Sequence, residues 1–144
     1  MKIVVQRCER ACCRVSGKIV GKIDQGLMLL VGFTHTDGID EIKYMVDKVV
    51  NLRIFDDENG VMNKSLLDIS GSVLSISQFT LYGDASKGRR PSYVAAMPGD
   101  RATILYDKFN ELLKEKVAVE TGIFGAEMKI DFVNDGPITI LLEK

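Results

Sequence analysis

Residues 73–82, VLSISQFTLY, change within one short segment from apolar to polar. The first half of the segment is apolar at almost every position, a pattern typical of a strand that is buried on both faces. The next four residues bring amide, hydroxyl and aromatic groups to that strand, namely Ser77, Gln78, Phe79 and Thr80. A buried polar group without a partner costs about 1–3 kcal/mol. These groups therefore either pair within the protein or face a bound ligand.

The remaining apolar runs and turns predict an α+β fold. Helices are expected after Gly38 and after Pro98, because apolar residues follow both positions at helical spacing, from Ile42 to Val49 and from Ala102 to Val117. Strands are predicted at residues 2–15 (with a bulge), 19–23, 27–33, 52–55 and 73–82, and again within 118–144. This order favours a single domain over residues 1–144, with a mixed, strongly curved, barrel-like sheet and two helices packed on it.

Composition and cysteine content indicate a cytoplasmic protein. The formal net charge is −1 and the pI is about 5.9, so nucleic-acid binding would need a local basic patch. No apolar run is long enough for a membrane span, and the N-terminus lacks a signal-peptide pattern. The three cysteines, Cys8, Cys12 and Cys13, lie in one segment without zinc-ligand spacing, which predicts reduced thiols.

The sequence offers little side-chain acid–base chemistry. Its one histidine, His35, lies in a predicted loop, away from the candidate nucleophiles Ser77 and Thr80. The acidic turn at residues 56–60 lacks the ligand spacing of a calcium loop, and we expect neither a metal nor a cofactor. An enzyme of this kind would use backbone donors and shape on a substrate that is already activated.

A second unusual stretch is NDGPIT at residues 134–139. Gly136 lets the backbone approach a ligand closely, and Pro137 fixes φ and removes an N–H group. On local evidence a plain turn between strands 129–134 and 138–142 is the alternative. A polar segment at residues 83–93 predicts a surface loop, and it carries three basic side chains, Lys87, Arg89 and Arg90.

SQFTL at residues 77–81 and NDGPIT at residues 134–139 together resemble the two signature motifs of the D-aminoacyl-tRNA deacylase family. The resemblance covers essentially the whole chain. The further matching segments, in the family's order, are Gln6-Arg7, the RIF and NG hairpin at 53–60, GRRPSY at 88–93, DR-x4-Y at 100–106 and TG-x-FGA-x-M at 121–128. The departures are small: Ile138 replaces the commoner valine, and Cys8 follows Arg7.

This resemblance implies hydrolysis of the ester that links a D-amino acid to the 3′-terminal adenosine of tRNA, and of glycine mischarged on tRNA(Ala). It implies a homodimer in which Gly136-Pro137, in its cis form, reaches into the partner's pocket and rejects L side chains. Residues 77–80 would face the adenosine and the ester, with backbone N–H groups near Phe79 and Thr80 meeting the oxyanion. Thr80 would position the substrate, a role as nucleophile being secondary.

The resemblance also implies which residues bind the substrate. The pocket-lining and substrate-binding residues carried over by position are Arg7, Gln78, Phe124, Met128, Asn134, Gly136 and Pro137. The basic side chains Lys87, Arg89 and Arg90 would contact tRNA phosphates, or else form a solvated loop. The 2′-hydroxyl of the RNA would help to activate water, which agrees with the absence of a suitably placed histidine.

Two alternatives follow from the same residues. A sister deacylase keeps a similar framework with a trans Gly-Pro bond and removes L-alanine from a threonine tRNA. A non-catalytic RNA- or DNA-binding module would have the fold without turnover. The near-neutral charge argues against a dedicated nucleic-acid binder.

Overall fold

The chain forms a six-stranded mixed sheet, a small hairpin and two α-helices in the computed structural model, which describes residues 1–144. The strands are β1 (Lys2–Val15), β2 (Lys18–Ile23), β3 (Gly26–Gly32), β4 (Phe55–Asp56), β5 (Met62–Lys64), β6 (Ser72–Ser77), β7 (Ala118–Thr121) and β8 (Lys129–Glu143). The helices are α1 (Ile39–Asn51) and α2 (Gly99–Lys114). A 3₁₀ turn, Phe79–Tyr82, follows β6.

The long strand β1 connects most of the sheet. It pairs antiparallel with β8 over almost its whole length, with β3 over residues 2–8 and with β2 over residues 11–15. The pairing register of β1 shifts near Arg7 and again after Cys13, so the predicted bulge is confirmed. β3, β6 and β7 then pair in parallel.

The sheet curves into a nearly closed barrel. β2 lies against β6 and β7 although it does not pair with them, and a Cβ atom at Gly21 would lie 2.6 Å from the carbonyl oxygen of Thr121. Only glycine permits this close approach between β2 and β7. The predicted α+β fold with a curved, barrel-like mixed sheet is confirmed.

Both helices bury the apolar faces that their spacing predicts. On α1 the buried residues are Ile42, Met45, Val46, Val49 and Val50, and on α2 they include Tyr106, Phe109 and Leu113. They join the inward side chains of β1, β3 and β6 in one core cluster. Neither helix is both long and apolar enough to cross a membrane.

Several predicted boundaries were wrong. The strand predicted at residues 73–82 ends at Ser77, because its pairing partner β3 ends at Gly32 and the chain turns into the 3₁₀ segment. Of residues 52–55, only Phe55 belongs to a strand. The second helix ends at Lys114 rather than continuing to Val117. The predicted break near residues 136–137 lies inside one continuous strand, β8.

The cysteines and the histidine occupy the predicted kinds of environment. Cys8 and Cys13 are buried, Cys12 is half-buried, and all three are free thiols. Burial raises the pKa of Cys8 to about 11, so its thiol stays protonated at neutral pH. His35 is exposed, and its Nε2 atom lies 2.7 Å from the carbonyl oxygen of Val94.

The packing of α2 generates a stability prediction. Phe109 is fully buried in the core, whereas Ile104 on the same helix is 68% exposed. Phe109→Ala should lower the free energy of unfolding by about 3–5 kcal/mol, because it removes buried apolar contacts and leaves a cavity. Ile104→Ala should change it by less than about 0.5 kcal/mol. Urea denaturation followed by circular dichroism measures both, and equal losses would contradict the assigned helix orientation.

Candidate active site

A mostly apolar cavity of about 280 Å³ opens where β3 and β6 end. Because β3 and β6 are parallel, their carboxyl ends meet at one edge of the sheet. The cavity is lined by Val31, Gly32, Phe33, Ile76, Ser77, Gln78, Phe79, Met97, Ala102, Phe124, Gly125, Ala126, Met128 and Ile130. We call this space the edge cavity. None of its lining side chains is titratable.

Residues 77–79 reach the edge cavity because β3 lets them approach closely. A Cβ atom at Gly32 would lie 2.9 Å from the carbonyl oxygen of Gln78, so only glycine fits there. The backbone N–H of Gln78 donates to the carbonyl oxygen of Val31 at 2.8 Å and extends the β3–β6 ladder by one bond. Phe79 and Thr80 then begin the 3₁₀ turn, and N–H groups at such a start lack acceptors within the turn.

The side chains of this segment point in different directions. Ser77, Gln78 and Phe79 line the edge cavity, whereas Thr80 is exposed and does not line it. Gln78 Nε2 donates a hydrogen bond to Thr80 Oγ1. The ring of Phe79, which is 57% exposed, packs edge-to-face against Tyr93 with 5.1 Å between centroids. This contact fixes the end of the 83–93 loop beside the cavity mouth.

The opposite wall comes from the segment between β7 and β8. Phe124 and Met128 both line the edge cavity, as their predicted pocket-lining role requires. Phe124 packs against Tyr106 on α2 with ring centroids 5.8 Å apart. The Tyr106 hydroxyl donates to the carbonyl oxygen of Ser75 at 2.7 Å, and burial raises its pKa. α2 therefore supports both the β6 wall and the Phe124 wall, a role that sequence reasoning did not assign to Tyr106.

A four-residue excursion interrupts the pairing between β8 and β1. Asn134 lies opposite Cys8 and Thr139 lies opposite Gln6, so residues 135–138 face only Arg7. We call these four residues the Gly-Pro excursion. Its tip, Gly136-Pro137, is exposed; Gly136 has φ of +116°, and the peptide bond between the two residues is cis. The excursion stands out from a continuous strand, so it is not a plain turn between two strands.

Asn134 ties the two ends of the Gly-Pro excursion together. Its Nδ2 atom donates to the carbonyl oxygens of Arg7 at 2.9 Å and of Ile138 at 3.0 Å. The Thr139 hydroxyl donates to Asn134 Oδ1 at 3.4 Å. Asn134 therefore positions the excursion through its amide, while its own side chain does not line the edge cavity.

Arg7 lies beneath the Gly-Pro excursion and does not line the edge cavity of its own chain, so its predicted pocket-lining role stays a prediction. Its side chain is buried, and Nη1 donates to the carbonyl oxygen of Ile54 at 2.7 Å and to Asp56 Oδ1 at 3.4 Å. Nε lies 2.9 Å from Asp135 Oδ2 as an ion pair, although its N–H is not aimed at that oxygen. The buried guanidinium is thus committed to the protein and fixes the first residue of the excursion.

One chain does not bring the two signature stretches into one site. None of Asn134, Gly136 and Pro137 lines the edge cavity. Thr139 pairs with Gln6 on β1, and Gln6 pairs in turn with Met28 on β3. The first residue of β3 that lines the cavity is Val31, three positions further along. Three residues along a strand span about 10 Å, so the excursion and the cavity open at separate places in one chain.

Charged side chains lie around the site rather than in it. Lys87, Arg89 and Arg90 are exposed on the 83–93 loop, and none of them has an ion-pair partner within 4.0 Å. No group of three or more His, Cys, Asp or Glu side chains could hold a metal ion. Sequence reasoning missed the acidic partners Asp56 and Asp135 of Arg7, because ion pairs between distant segments leave no local pattern.

Comparison with known proteins gives a consistent result. A family model described as D-Tyr-tRNA(Tyr) deacylase matches residues 4–143. A protein named D-aminoacyl-tRNA deacylase from Bacillus velezensis is 56% identical over 99% of this chain and 98% of its own length. A protein of the same name from Brevibacillus brevis is 54% identical, with 99% of each chain covered.

Two solved structures share the fold. One, named c-Myc DNA Unwinding Element Binding Protein, has a TM-score of 0.95 and 40% identity, covering 100% of this chain and 99% of its own. The other, described as a probable eukaryotic D-amino acid tRNA deacylase, has a TM-score of 0.83 and 20% identity, covering 98% and 97%. The second likeness concerns the fold alone.

The geometry of the excursion generates a prediction about Asn134. Asn134→Ala removes two donated hydrogen bonds and should lower the free energy of unfolding by about 1–3 kcal/mol. Backbone amide hydrogen exchange at residues 135, 136 and 138 should become faster, because the ends of the excursion are no longer tied. Asn51→Ala, which removes an exposed amide bonded to Asp47, should leave that exchange unchanged. Unchanged exchange in both variants would contradict the assigned role of Asn134.

Proposed function

This chain belongs to the D-aminoacyl-tRNA deacylase family, and from that premise we propose how the edge cavity and the Gly-Pro excursion act. Enzymes with this activity hydrolyse the ester bond between a D-amino acid and tRNA, and this chain is one of them. One observation carries the mechanism: residues 77–79, which lead into the 3₁₀ turn, line the edge cavity, and no titratable side chain lines it. Catalysis therefore uses backbone groups.

The aminoacyl ester is already activated, so a water molecule can attack its carbonyl carbon without a side-chain nucleophile. The N–H groups of Phe79 and Thr80 stabilise the oxyanion that forms on the ester carbonyl. The 2′-hydroxyl of the terminal ribose helps to activate the water. The C–O bond to the 3′-oxygen breaks, that oxygen takes a proton, and free D-amino acid and tRNA leave. Thr80, held by Gln78, positions the substrate.

The excursion provides the chiral filter. Gly136-Pro137 is exposed, and the ends of the excursion are fixed by Asn134 and by the ion pair between Arg7 and Asp135. A fixed, protruding backbone element clashes with an L side chain but not with a D side chain, so selection works by rejection. Glycine has no side chain to reject, which makes glycine mischarged on tRNA(Ala) a substrate as well.

The active unit is a homodimer. The tip of the excursion does not line the edge cavity of its own chain, so that cavity lacks the element that would select its substrate. A two-fold dimer places the same contacts on both subunits, so each tip can complete the partner's cavity. Phe124 and Met128 then form the wall opposite residues 77–79, and the substrate lies between them.

The enzyme acts on aminoacyl-tRNA in the cytoplasm, where translation takes place. The 83–93 loop supports binding of the tRNA, because its end packs on Phe79 at the cavity and its basic residues Lys87, Arg89 and Arg90 are exposed without an ion-pair partner. Such contacts to phosphates position the RNA without reading its sequence. The loop thus adds affinity that decreases as the salt concentration rises.

A substrate panel tests the proposed function. The purified protein is mixed with D-tyrosyl-tRNA, L-tyrosyl-tRNA, glycyl-tRNA(Ala) and L-alanyl-tRNA(Thr), and loss of each ester is followed at one enzyme concentration. We expect rapid loss of the D-tyrosyl and glycyl esters and an intact L-tyrosyl ester, since only the L side chain meets the excursion.

A variant with Lys87→Gln, Arg89→Gln and Arg90→Gln should have a raised KM and a weaker salt dependence.

The other outcomes of the panel point to the alternatives. Preferred cleavage of L-alanyl-tRNA(Thr) would assign the chain to the sister activity and contradict the chiral filter. Stoichiometric binding of RNA without loss of any ester would indicate a binding function instead of catalysis. Binding of DNA, the ligand in the name of the 40%-identical protein, would indicate the same. Loss of the L-tyrosyl ester at the rate of the D-tyrosyl ester would contradict the filter alone.

Complementation between two inactive variants tests the shared site. Ala126→Phe fills the edge cavity, and Gly136→Val alters the excursion, where a Cβ atom would contact Ile138. Each variant alone should be nearly inactive on D-tyrosyl-tRNA. Co-expression with two different tags should restore about a quarter of wild-type activity, because half of the dimers are mixed and each mixed dimer has one intact site. Isolated mixed dimers without activity would show that each chain carries its own complete site.

A further inference from the structure

A second cleft lies on the outer face of the sheet, away from the edge cavity. It has a volume of about 210 Å³, and its charged lining residues are Arg10, Arg14, Lys22 and Asp131. None of them lines the edge cavity, and none has a role in the mechanism above. We call this surface the basic cleft.

The pairing register explains how three strands bring these side chains together. Cys12 at the centre of the cleft lies opposite Lys22 on β2 and opposite Asp131 on β8. Arg10 and Arg14 flank Cys12 on the same face of β1, and four residues along a strand span about 13 Å. The three cations therefore form a row that is long enough to meet more than one phosphate of a nucleic-acid strand.

The positive charge of the basic cleft is mostly uncompensated. Its one ion pair joins Arg14 Nη1 to Asp131 Oδ2 at 3.8 Å, and both side chains are partly exposed. Arg10 and Lys22 have no carboxylate within 4.0 Å, whereas Lys108 and Lys129 are paired at 2.9 and 2.8 Å. Three cations and one carboxylate leave a net charge of about two positive units in the cleft.

The cleft and the edge cavity share one strand, β8, and lie on its opposite faces. Ile130 on β8 lines the edge cavity, and the next residue, Asp131, lines the basic cleft. Successive side chains of a strand point to opposite faces, so the two sites are separated by one layer of the sheet. A macromolecule whose end occupies the cavity can extend around the rim of this layer to the cleft.

We propose that the basic cleft binds phosphates of the acceptor stem of the aminoacyl-tRNA whose 3′ end occupies an edge cavity. This inference rests on the proposed function, which supplies an RNA substrate. Guanidinium groups bind phosphate oxygens in a bidentate way, and a row of cations without base-specific partners fits a phosphate backbone. The cleft thus favours full-length tRNA over short aminoacyl esters.

The test compares two substrates, D-tyrosyl-tRNA and the D-tyrosyl ester of adenosine, which lacks the stem. The variant carries Arg10→Gln, Arg14→Gln and Lys22→Gln. Its ratio of kcat/KM for D-tyrosyl-tRNA to kcat/KM for D-tyrosyl-adenosine should fall on the order of tenfold, mainly through KM for the tRNA. The slope of log kcat/KM for tRNA against log salt concentration should become shallower by about 2.

Two further variants make the result specific. Lys43→Gln, Lys48→Gln and Lys116→Gln remove the same charge from exposed positions that do not line the cleft, and they should leave the ratio unchanged. The double variant Arg10→Lys, Arg14→Lys keeps the positive charge, so its ratio of kcat/KM values for the two substrates should stay close to that of wild type. An equal fall in both charge-removing triple variants, or an unchanged ratio in the cleft variant, would overturn the proposal.

Failure of the cleft proposal and failure of the proposed function give different results. If wild-type protein cleaves neither D-tyrosyl-tRNA nor D-tyrosyl-adenosine, the proposed function itself is wrong. If it cleaves both and the cleft variant keeps the wild-type ratio and salt slope, only the cleft proposal is wrong. Thermal unfolding of each variant, expected within a few degrees of wild type for exposed substitutions, excludes misfolding as the cause.

Discussion

The antiparallel pairing of β1 with β8, interrupted at Arg7, holds the sheet together and shapes the Gly-Pro excursion. The two strands pair at Gln6 and again at Cys8, on either side of Arg7. Because their partners on β8 are Thr139 and Asn134, four residues of β8 lie opposite Arg7 alone. Those residues must leave the sheet. The buried Arg7 guanidinium also needs compensation, which it finds in Asp135, Asp56 and a backbone carbonyl. One strand pair therefore produces both the excursion and the ion pair that fixes it.

The site separates positioning from chemistry. Positioning comes from the parallel ends of β3 and β6, where glycine lets the turn after Ser77 approach β3, and from Tyr106, which supports two walls of the cavity. In the proposed mechanism the chemistry falls to backbone donors, because no titratable side chain lines the cavity. Backbone groups in a well-packed sheet are preorganised, which suits the stabilisation of charge that develops in a transition state. An activated ester substrate is the kind of substrate on which such a site is sufficient.

Residue patterns predicted a large part of the fold and a smaller part of the site. The spacing of Ile42, Met45 and Val49 and the apolar run at residues 27–33 identified α1 and β3, because buried faces impose a period on the sequence. Ser77, Gln78 and Phe79 were placed at the cavity, and Phe124 and Met128 on its wall. Arg7 and Thr80 do not line the cavity, and their predicted roles stay predictions. Thr80 is exposed because the chain turns after β6, and side-chain direction after a strand end depends on that turn.

The class of fold, the free thiols and the family could be predicted from the printed chain, since they depend on local patterns and on short motifs. Three features became visible in the folded chain: the Gly-Pro excursion rises from a continuous strand, Arg7 supports it from below, and three cations meet on the outer face. The physical reason is that register and long-range ion pairs join residues far apart in the chain. Such pairings are set when the whole sheet forms, and no local stretch of sequence encodes them.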